Sequence, residues 1–449
     1  MESVLQDLIA SLRHASNKFN GEIKSELNQS LHDDGKLPDK SIWLLASEAL
    51  GLLTEVQAAL EPGHHILADH FLGMHVKYMD NHAPLNKVGY VRTKALCAAV
   101  ELDIPDILER GPKSLPELAT ACNARVDRLR QVMRTLYNDG IFSYDSSTGT
   151  YGNNPTSTLL QKNHWTQWRN WIDLYGNEFY DMARGIPSSC THSTRNAAQI
   201  NYNTDDTMFK YFDHQGWLPR FHKTLSGCAT AQAPGILEDY PWNEVSNETI
   251  IDVGGGGGGL IALLLREFET MRGSILEASH VIQQARDNFH SKQGQYNDVV
   301  DQIPSENLIA GDFFKEVPPS KVYTMKWCLH DWDDDKASII LRNIRAAIKE
   351  GPDSRLVILE SVLEDGYAGK MSRYADMNMM VAVGGMERDK AQWHNLASNT
   401  GWRLREIYPL RNAGQAPLNS SRLVLTERLP QKCDSLNHGT SVVVTPTSA

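Results

Sequence analysis

The sequence predicts an α/β protein in which a mostly parallel sheet follows a helical N-terminal region. Three observations carry this. From residue 248 short apolar runs alternate with amphipathic segments, the rhythm of strands and crossover helices. Six glycines (254–259) sit between an apolar strand-like run, TIIDV, and a strongly apolar helix-like run, LIALLLREF, instead of between polar linkers. Upstream, a helix, helix, hairpin order resembles a winged helix.

Taken in order, Val4, Leu5, Leu8, Ile9 and Leu12 fall at helical spacing and lack the basic flank of a signal peptide. Helix-rich stretches at 41–61 and 92–109 bracket a more polar segment with Pro84 and Gly89. Ser114 and Glu117 form a capping-box pair. Val126, Leu129, Val132, Met133 and Leu136 line one face of a helix that Asp139-Gly140 should end. IFSYDSSTGTYGNN then reads as two short strands around a turn at 146–149. Residues 1–160 are therefore expected to form a helical, winged-helix domain. The next helix-rich stretch, 161–245, is dense in aromatics, which suit a core or the wall of a pocket for a flat substrate. A sheet domain follows over 246–430. Its strands are 249–253, 274–278, 307–311, 322–329, 355–363, 404–410 and 422–429, and its helices 258–269, 280–290, 333–350, 370–383 and 389–399. Residues 431–449 read as a polar tail.

The chain has 449 residues and a formal net charge of -11, which argues against nucleic acid or anionic membrane as a main partner. Arg125, Arg128, Arg130 and Arg134 on the second winged-helix segment read as a solvated face of a dimerisation module. Six scattered cysteines (97, 122, 190, 228, 328 and 433) show no paired spacing and fit reduced thiols in the cytoplasm. No window is long and apolar enough to span a membrane.

Strand, glycine loop and helix form an arrangement that brings backbone amides and a helix N-terminus to a ligand. Gly254, Gly256 and Gly259 satisfy G-x-G-x-x-G, but any six glycines would. Asp252, just before the run, discriminates better. Its carboxylate would repel a pyrophosphate yet suits S-adenosylmethionine, whose amino and sulfonium groups are positive. Glu277 ends the next strand, placed for ribose hydroxyls, and Asp312 with Phe313 in GDFF suits an adenine. His330, in KWCLHDWDDD after the fourth strand, emerges beside the glycine loop with a pKa suited to removing a proton from a phenol-like hydroxyl. Either Glu360, inside the apolar run RLVILESVL, or Glu387, after Gly384-Gly385, could orient its imidazole. Asp333 would cap the following helix. No cluster of acids that would hold a metal is visible, so none is expected.

In this order, DVGGGGGGL, GDFF, KWCLHDWDDD, LESVL and GGMERD resemble the class II (caffeic acid type) S-adenosylmethionine-dependent O-methyltransferases, most closely the fungal branch serving secondary metabolism. The resemblance spans roughly 85 to 428. It implies a Rossmann-like, seven-stranded methyltransferase sheet and a homodimer built by the N-terminal domain. It implies His330 as base, flanked by Glu360 and Glu387, with Gly254, Gly255, Glu277, Asp312, Phe313 and Lys326 against the cofactor. The substrate would be a phenolic or polyketide-like small molecule. Two positions depart from the family pattern: Glu277-Ala278-Ser279 replaces Asp-Leu-Pro, and Leu225 stands where a methionine usually faces the substrate ring. Some fungal relatives use the same cofactor for pericyclic rearrangement of polyketide–pyridones without methyl transfer. The intact His330-Asp331 pair favours methyl transfer here.

Overall fold

The structure, a computed structural model, describes residues 1–31, 33, 36–60, 90–191, 194–364, 370–411 and 421–428. The expected tail at 431–449, Cys433 and the polar segment with Pro84 and Gly89 lie outside the described residues.

Eleven strands are described: β1 (Lys113–Ser114), β2 (Ser143–Asp145), β3 (Thr150–Gly152), β4 (Thr249–Val253), β5 (Arg272–Glu277), β6 (Leu308–Ala310), β7 (Val322–Lys326), β8 (Arg355–Leu363), β9 (Arg388–Asp389), β10 (Trp402–Pro409) and β11 (Ser421–Arg428). The main sheet runs β10-β11-β8-β7-β4-β5-β6, with the two-residue β9 paired beside the end of β8. β4 to β9 are parallel, and β11 runs against both its neighbours. The seven expected strands are all present.

Adjacent residues of β4 point to opposite faces, as a strand requires. Ile250 packs with Leu260, Ile261, Leu264 and Phe289 from the helices Gly259–Glu267 and Ile282–His290. Ile251 and Val253 pack instead with Ile340, Ile344, Trp393 and Trp402 across the sheet. Both faces are thus covered, which explains why the strands are continuously apolar. β4 lies between β5, which continues the sheet one way, and β7, which starts it the other way. Ligands bind at such a switch point, beyond the strand C-termini.

Upstream, the helix Leu115–Ala121 has the expected capping box, in which the Ser114 amide donates to Glu117 Oε2 at 2.8 Å. The helix Val126–Asn138 buries Leu129, Met133 and Leu136 and stops at Asp139, followed by Gly140 at φ 77°. Val126 does not join its buried face, being 38% exposed. The hairpin β2–β3 follows, and β1 pairs with β3 to make a three-stranded wing. All four arginines of the second helix are exposed, and Arg125 and Arg128 pair with Asp127. Of the aromatics at 161–245, Trp171, Tyr240, Trp242, Phe179, Phe212 and Phe221 are buried, and the last three join one core cluster with Leu174 and Met182.

Strand ends shift by one or two residues from expectation, and one strand differs by more. β7 stops at Lys326 instead of continuing to 329, because Trp327 adopts φ +51°. That left-handed backbone ends the extended run and feeds a 3-10 turn, Leu329–Asp331. His330 therefore sits in a turn beyond the strand end.

Candidate active site

Every second residue of the glycine run has a left-handed backbone: Gly254 at φ +73°, Gly256 at +54° and Gly258 at +91°. Only glycine adopts this readily. The intervening glycines differ. A Cβ at Gly255 would lie 2.8 Å from Asp252 Oδ2, while one at Gly257 would meet only side-chain ends, Asn288 Nδ2 at 3.0 Å and the Gln284 amide at 3.7 Å. Gly258 has a second constraint, because its Cβ would fall 2.4 Å from the Phe289 ring. The loop is pinned by Gly254 N–H donating to the Leu276 carbonyl and by Asn288 Nδ2 donating to the Gly257 carbonyl, both at 2.9 Å. At Gly256 nothing stands within 4 Å of the added carbon, so the loop backbone there borders open space.

Acids surround this loop. Asp252 is 2% exposed and accepts from Thr324 Oγ1 at 2.8 Å. Burial pushes its carboxyl up to about 7, against the lowering effects of Thr324 and Lys326. Glu277 at the end of β5 accepts from Gly256 N–H at 2.9 Å and Ala278 N–H at 2.7 Å, one on each oxygen. Lys326 ends β7; burial lowers its ammonium to about 8 despite the nearby Cys228 and Asp252, and Nζ lies 3.4 Å from the Trp327 ring centroid. Asp312 is exposed and uses Oδ1 to accept from Phe314 N–H at 3.0 Å, so it shapes its own turn. Phe313 joins Phe314 and Trp332 in an edge-to-face wall beside it.

On the other side of β7 stands His330, its side chain 12% exposed. Nδ1 lies 3.0 Å from Glu387 Oε1, and Nε2 is 3.8 Å from Asp331 Oδ1. Because a carboxylate only accepts, Nδ1 carries the proton and Nε2 keeps its lone pair in the neutral ring. Glu360, fully buried, acts on the backbone: Oε1 accepts from both Cys328 N–H (3.0 Å) and His330 N–H (3.1 Å). Of the two candidate orienting acids, Glu387 therefore holds the ring and Glu360 holds the turn. Burial alone would lower the His330 pKa, but Glu360, Glu387 and Asp331 overcome it and lift the imidazole to about 9. Asp331 itself is raised to about 6, first by burial.

The contact between His330 and Glu387 crosses 57 residues. It is made possible by Gly385, whose Cβ would come 1.9 Å from the His330 carbonyl, and by Met386 N–H donating to that carbonyl at 2.8 Å. Asp376 Oδ1 accepts from the Glu387 amide at 2.9 Å. Asp333 caps the helix Asp334–Ala347 by accepting from Lys336 N–H at 2.9 Å.

Thr324 and Trp327 were not singled out in the sequence. Thr324 has a signal, a small hydroxyl in the buried run that leads to Lys326 in VYTMK; Trp327 has none. One donor atom each from His330, Glu360 and Glu387 lie within 4.8 Å of one another, a grouping that the sequence does not reveal.

An O-methyltransferase dimerisation domain matches residues 88–163, and an O-methyltransferase domain matches residues 165–403. O-methyltransferase aclM of Aspergillus oryzae is 51% identical over 417 residues, covering 92% of this chain and 93% of that protein. O-methyltransferase verK of Clonostachys rogersoniana is 43% identical over 421 residues, covering 93% and 99%. Among solved structures, the mitomycin 7-O-methyltransferase MmcR has a TM-score of 0.62 at 26% identity, covering 76% of this chain and 94% of its own. The neocarzinostatin O-methyltransferase NcsB1, solved with S-adenosyl-L-homocysteine and 1,4-dihydroxy-2-naphthoic acid, has a TM-score of 0.58 at 25% identity, covering 78% and 100%. Among the described residues no helix is long and apolar enough to cross a membrane. The chain belongs to the class II O-methyltransferases of fungal secondary metabolism, and is an S-adenosylmethionine-dependent O-methyltransferase.

Proposed function

We propose that this enzyme methylates a hydroxyl of an aromatic or polyketide-derived small molecule in a fungal secondary-metabolite pathway, with His330 as general base. The observation that carries the reading is the His330–Glu387 pair, which leaves Nε2 as the free basic nitrogen in a nearly buried site.

The donor set fits S-adenosylmethionine. Asp252 offers a buried negative charge behind a loop of bare backbone, suited to a cationic ligand and hostile to a pyrophosphate. Glu277 and Asp312 retain acceptor capacity beyond the amides they now engage, enough for ribose hydroxyls and an adenine amino group. Gly254 and Gly255 let the loop approach closely, and Phe313 offers a ring face. Lys326 keeps the strand end from carrying only negative charge. When bound, the cofactor supplies an electrophilic methyl group on a sulfonium.

His330 Nε2 takes the hydroxyl proton as that oxygen becomes a nucleophile. Glu387 fixes the ring through Nδ1, and Glu360 fixes the turn while both carboxylates stabilise the imidazolium. Orientation supplies most of the acceleration, and proton removal contributes roughly a hundredfold or more. The dimerisation domain is proposed to form a homodimer, and the enzyme to work in the cytoplasm. The pericyclic alternative draws no support from the O-methyltransferase names of the relatives.

The test is incubation with methyl-labelled cofactor and a panel of phenolic fungal metabolites. Label is expected in a product and is expected to vanish in His330→Ala. Conversion without label, or labelling undiminished in His330→Ala, would overturn the reading.

A further inference from the structure

The base cluster has ligand chemistry that proton removal does not use. One donor atom from each of His330, Glu360 and Glu387 lies within 4.8 Å of the others. Imidazole and carboxylate bonds to zinc are about 2.0–2.2 Å, so two ligands of one ion stand at most about 4.4 Å apart. Closing the cluster needs only a few tenths of an ångström from each side chain, within a rotamer well.

Two further observations point to a cation. Glu360 Oε2 and Glu387 Oε2 are buried without a hydrogen-bond partner, in residues 0% and 2% exposed. A buried acceptor left unmade is costly, more so when charged. The charges also fail to balance, because the two glutamates share one imidazole while Asp331 and Asp376 add more acid nearby. Arg388, next along the chain, is committed elsewhere: it donates to Asp334 and to the carbonyls of Leu329 and Trp332. One imidazolium cannot neutralise two buried carboxylates, whereas a divalent ion with a neutral imidazole can. One nitrogen and two oxygens select an ion of the zinc or cobalt type over magnesium or calcium. The hydrogen bonds that Glu360 Oε1 accepts from Cys328 and His330 already hold one ligand in place.

We propose that His330, Glu360 and Glu387 form a binding site for a divalent transition-metal ion, and that its occupation switches methyl transfer off by consuming the base. The inhibitory half rests on the reading of His330 as base; the metal site itself does not.

The test is titration of chelator-treated full-length protein with Co2+, followed by visible absorption and by methyl transfer. The proposal expects one equivalent bound with a nitrogen–oxygen ligand-field spectrum, activity lost in step with occupancy, and recovery on adding EDTA. Glu387→Gln and His330→Ala should each weaken binding at least tenfold, with circular dichroism showing both folded; Glu387→Asp, which keeps a donor, should bind more tightly than Glu387→Gln. Thiolate-to-cobalt absorption, or equal affinity in all the variants, would overturn the site. Binding that needs these residues yet leaves methyl transfer intact would overturn the inhibition and the base assignment while upholding the site.

Discussion

Replacing Asp252 with asparagine removes a buried charge while keeping an acceptor for Thr324 Oγ1. The wild-type carboxyl is raised from 3.8 to about 7, chiefly by burial. A group whose folded pKa is raised favours the fold fully below its unfolded pKa, and this contribution is lost as pH climbs through about 7. With 1.36 kcal/mol per unit, the raised Asp252 costs the cofactor-free fold about 4 kcal/mol at pH 8, mostly as a buried carboxylate, and roughly 2 kcal/mol at pH 5, where the fold holds protonated a carboxyl that ionises on unfolding. Asparagine does not titrate, so Asp252→Asn should be the more stable protein without cofactor. Its advantage should widen by about 2–3 kcal/mol from pH 5 to pH 8. The same change should weaken S-adenosylmethionine binding by about ten- to a hundredfold, the worth of a hydrogen bond to a charged group. Guanidinium unfolding at the two pH values, with calorimetric titration of the cofactor, reads both effects. A stability gap that does not change with pH would refute the desolvation argument, and undiminished affinity would refute the assignment of Asp252 to the cofactor.

The glycines give a graded series. Gly257→Ala should cost less than about 1 kcal/mol, since a flexible amide can yield, whereas Gly258→Ala should cost about 2 kcal/mol or more from combined strain and overpacking against Phe289; thermal unfolding ranks them, and equal losses would contradict the geometry. Gly256→Ala meets only backbone strain, about 1 kcal/mol, yet should impair cofactor binding because its methyl enters the open space at the loop, which calorimetry would detect. Gly385→Ala should lower kcat about as much as Glu387→Gln, since a methyl there pushes the Glu387 segment off the His330 carbonyl; a normal kcat would show that this approach does not position the base.

Much of this was legible in the sequence because local patterns and tertiary roles agree. The run TIIDV and the helix LIALLLREF predict a strand and a helix by apolarity alone, and Glu360 stands out as a charge inside an apolar strand. The excess glycines were not legible. Which of them needs a left-handed backbone depends on the path of the loop, and which needs bare space depends on Phe289 and Asp252, distant neighbours that no local pattern encodes. Trp327 reads as a strand residue, since aromatics favour strands and bulky residues avoid positive φ; the turn after Lys326, with its N–H groups converging on Glu360, overrides that preference. Gly384-Gly385 predicts a turn, but not that its backbone would rest on His330, so the division of labour between Glu360 and Glu387 emerges only from three-dimensional packing.

The account turns on His330 as a base whose pKa is held high by acids. The direct test is the pH dependence of the single-turnover rate of methyl transfer in the wild type and in Glu387→Gln. A raised histidine pKa keeps the ring protonated below about 9, so the wild-type rate should climb about tenfold per pH unit through neutrality and level off near pH 9. Loss of the Glu387 charge should move that limb to lower pH while reducing the plateau about ten- to a hundredfold. A wild-type rate independent of pH between 6 and 9, or a limb that stays in place in Glu387→Gln, would contradict the central claim.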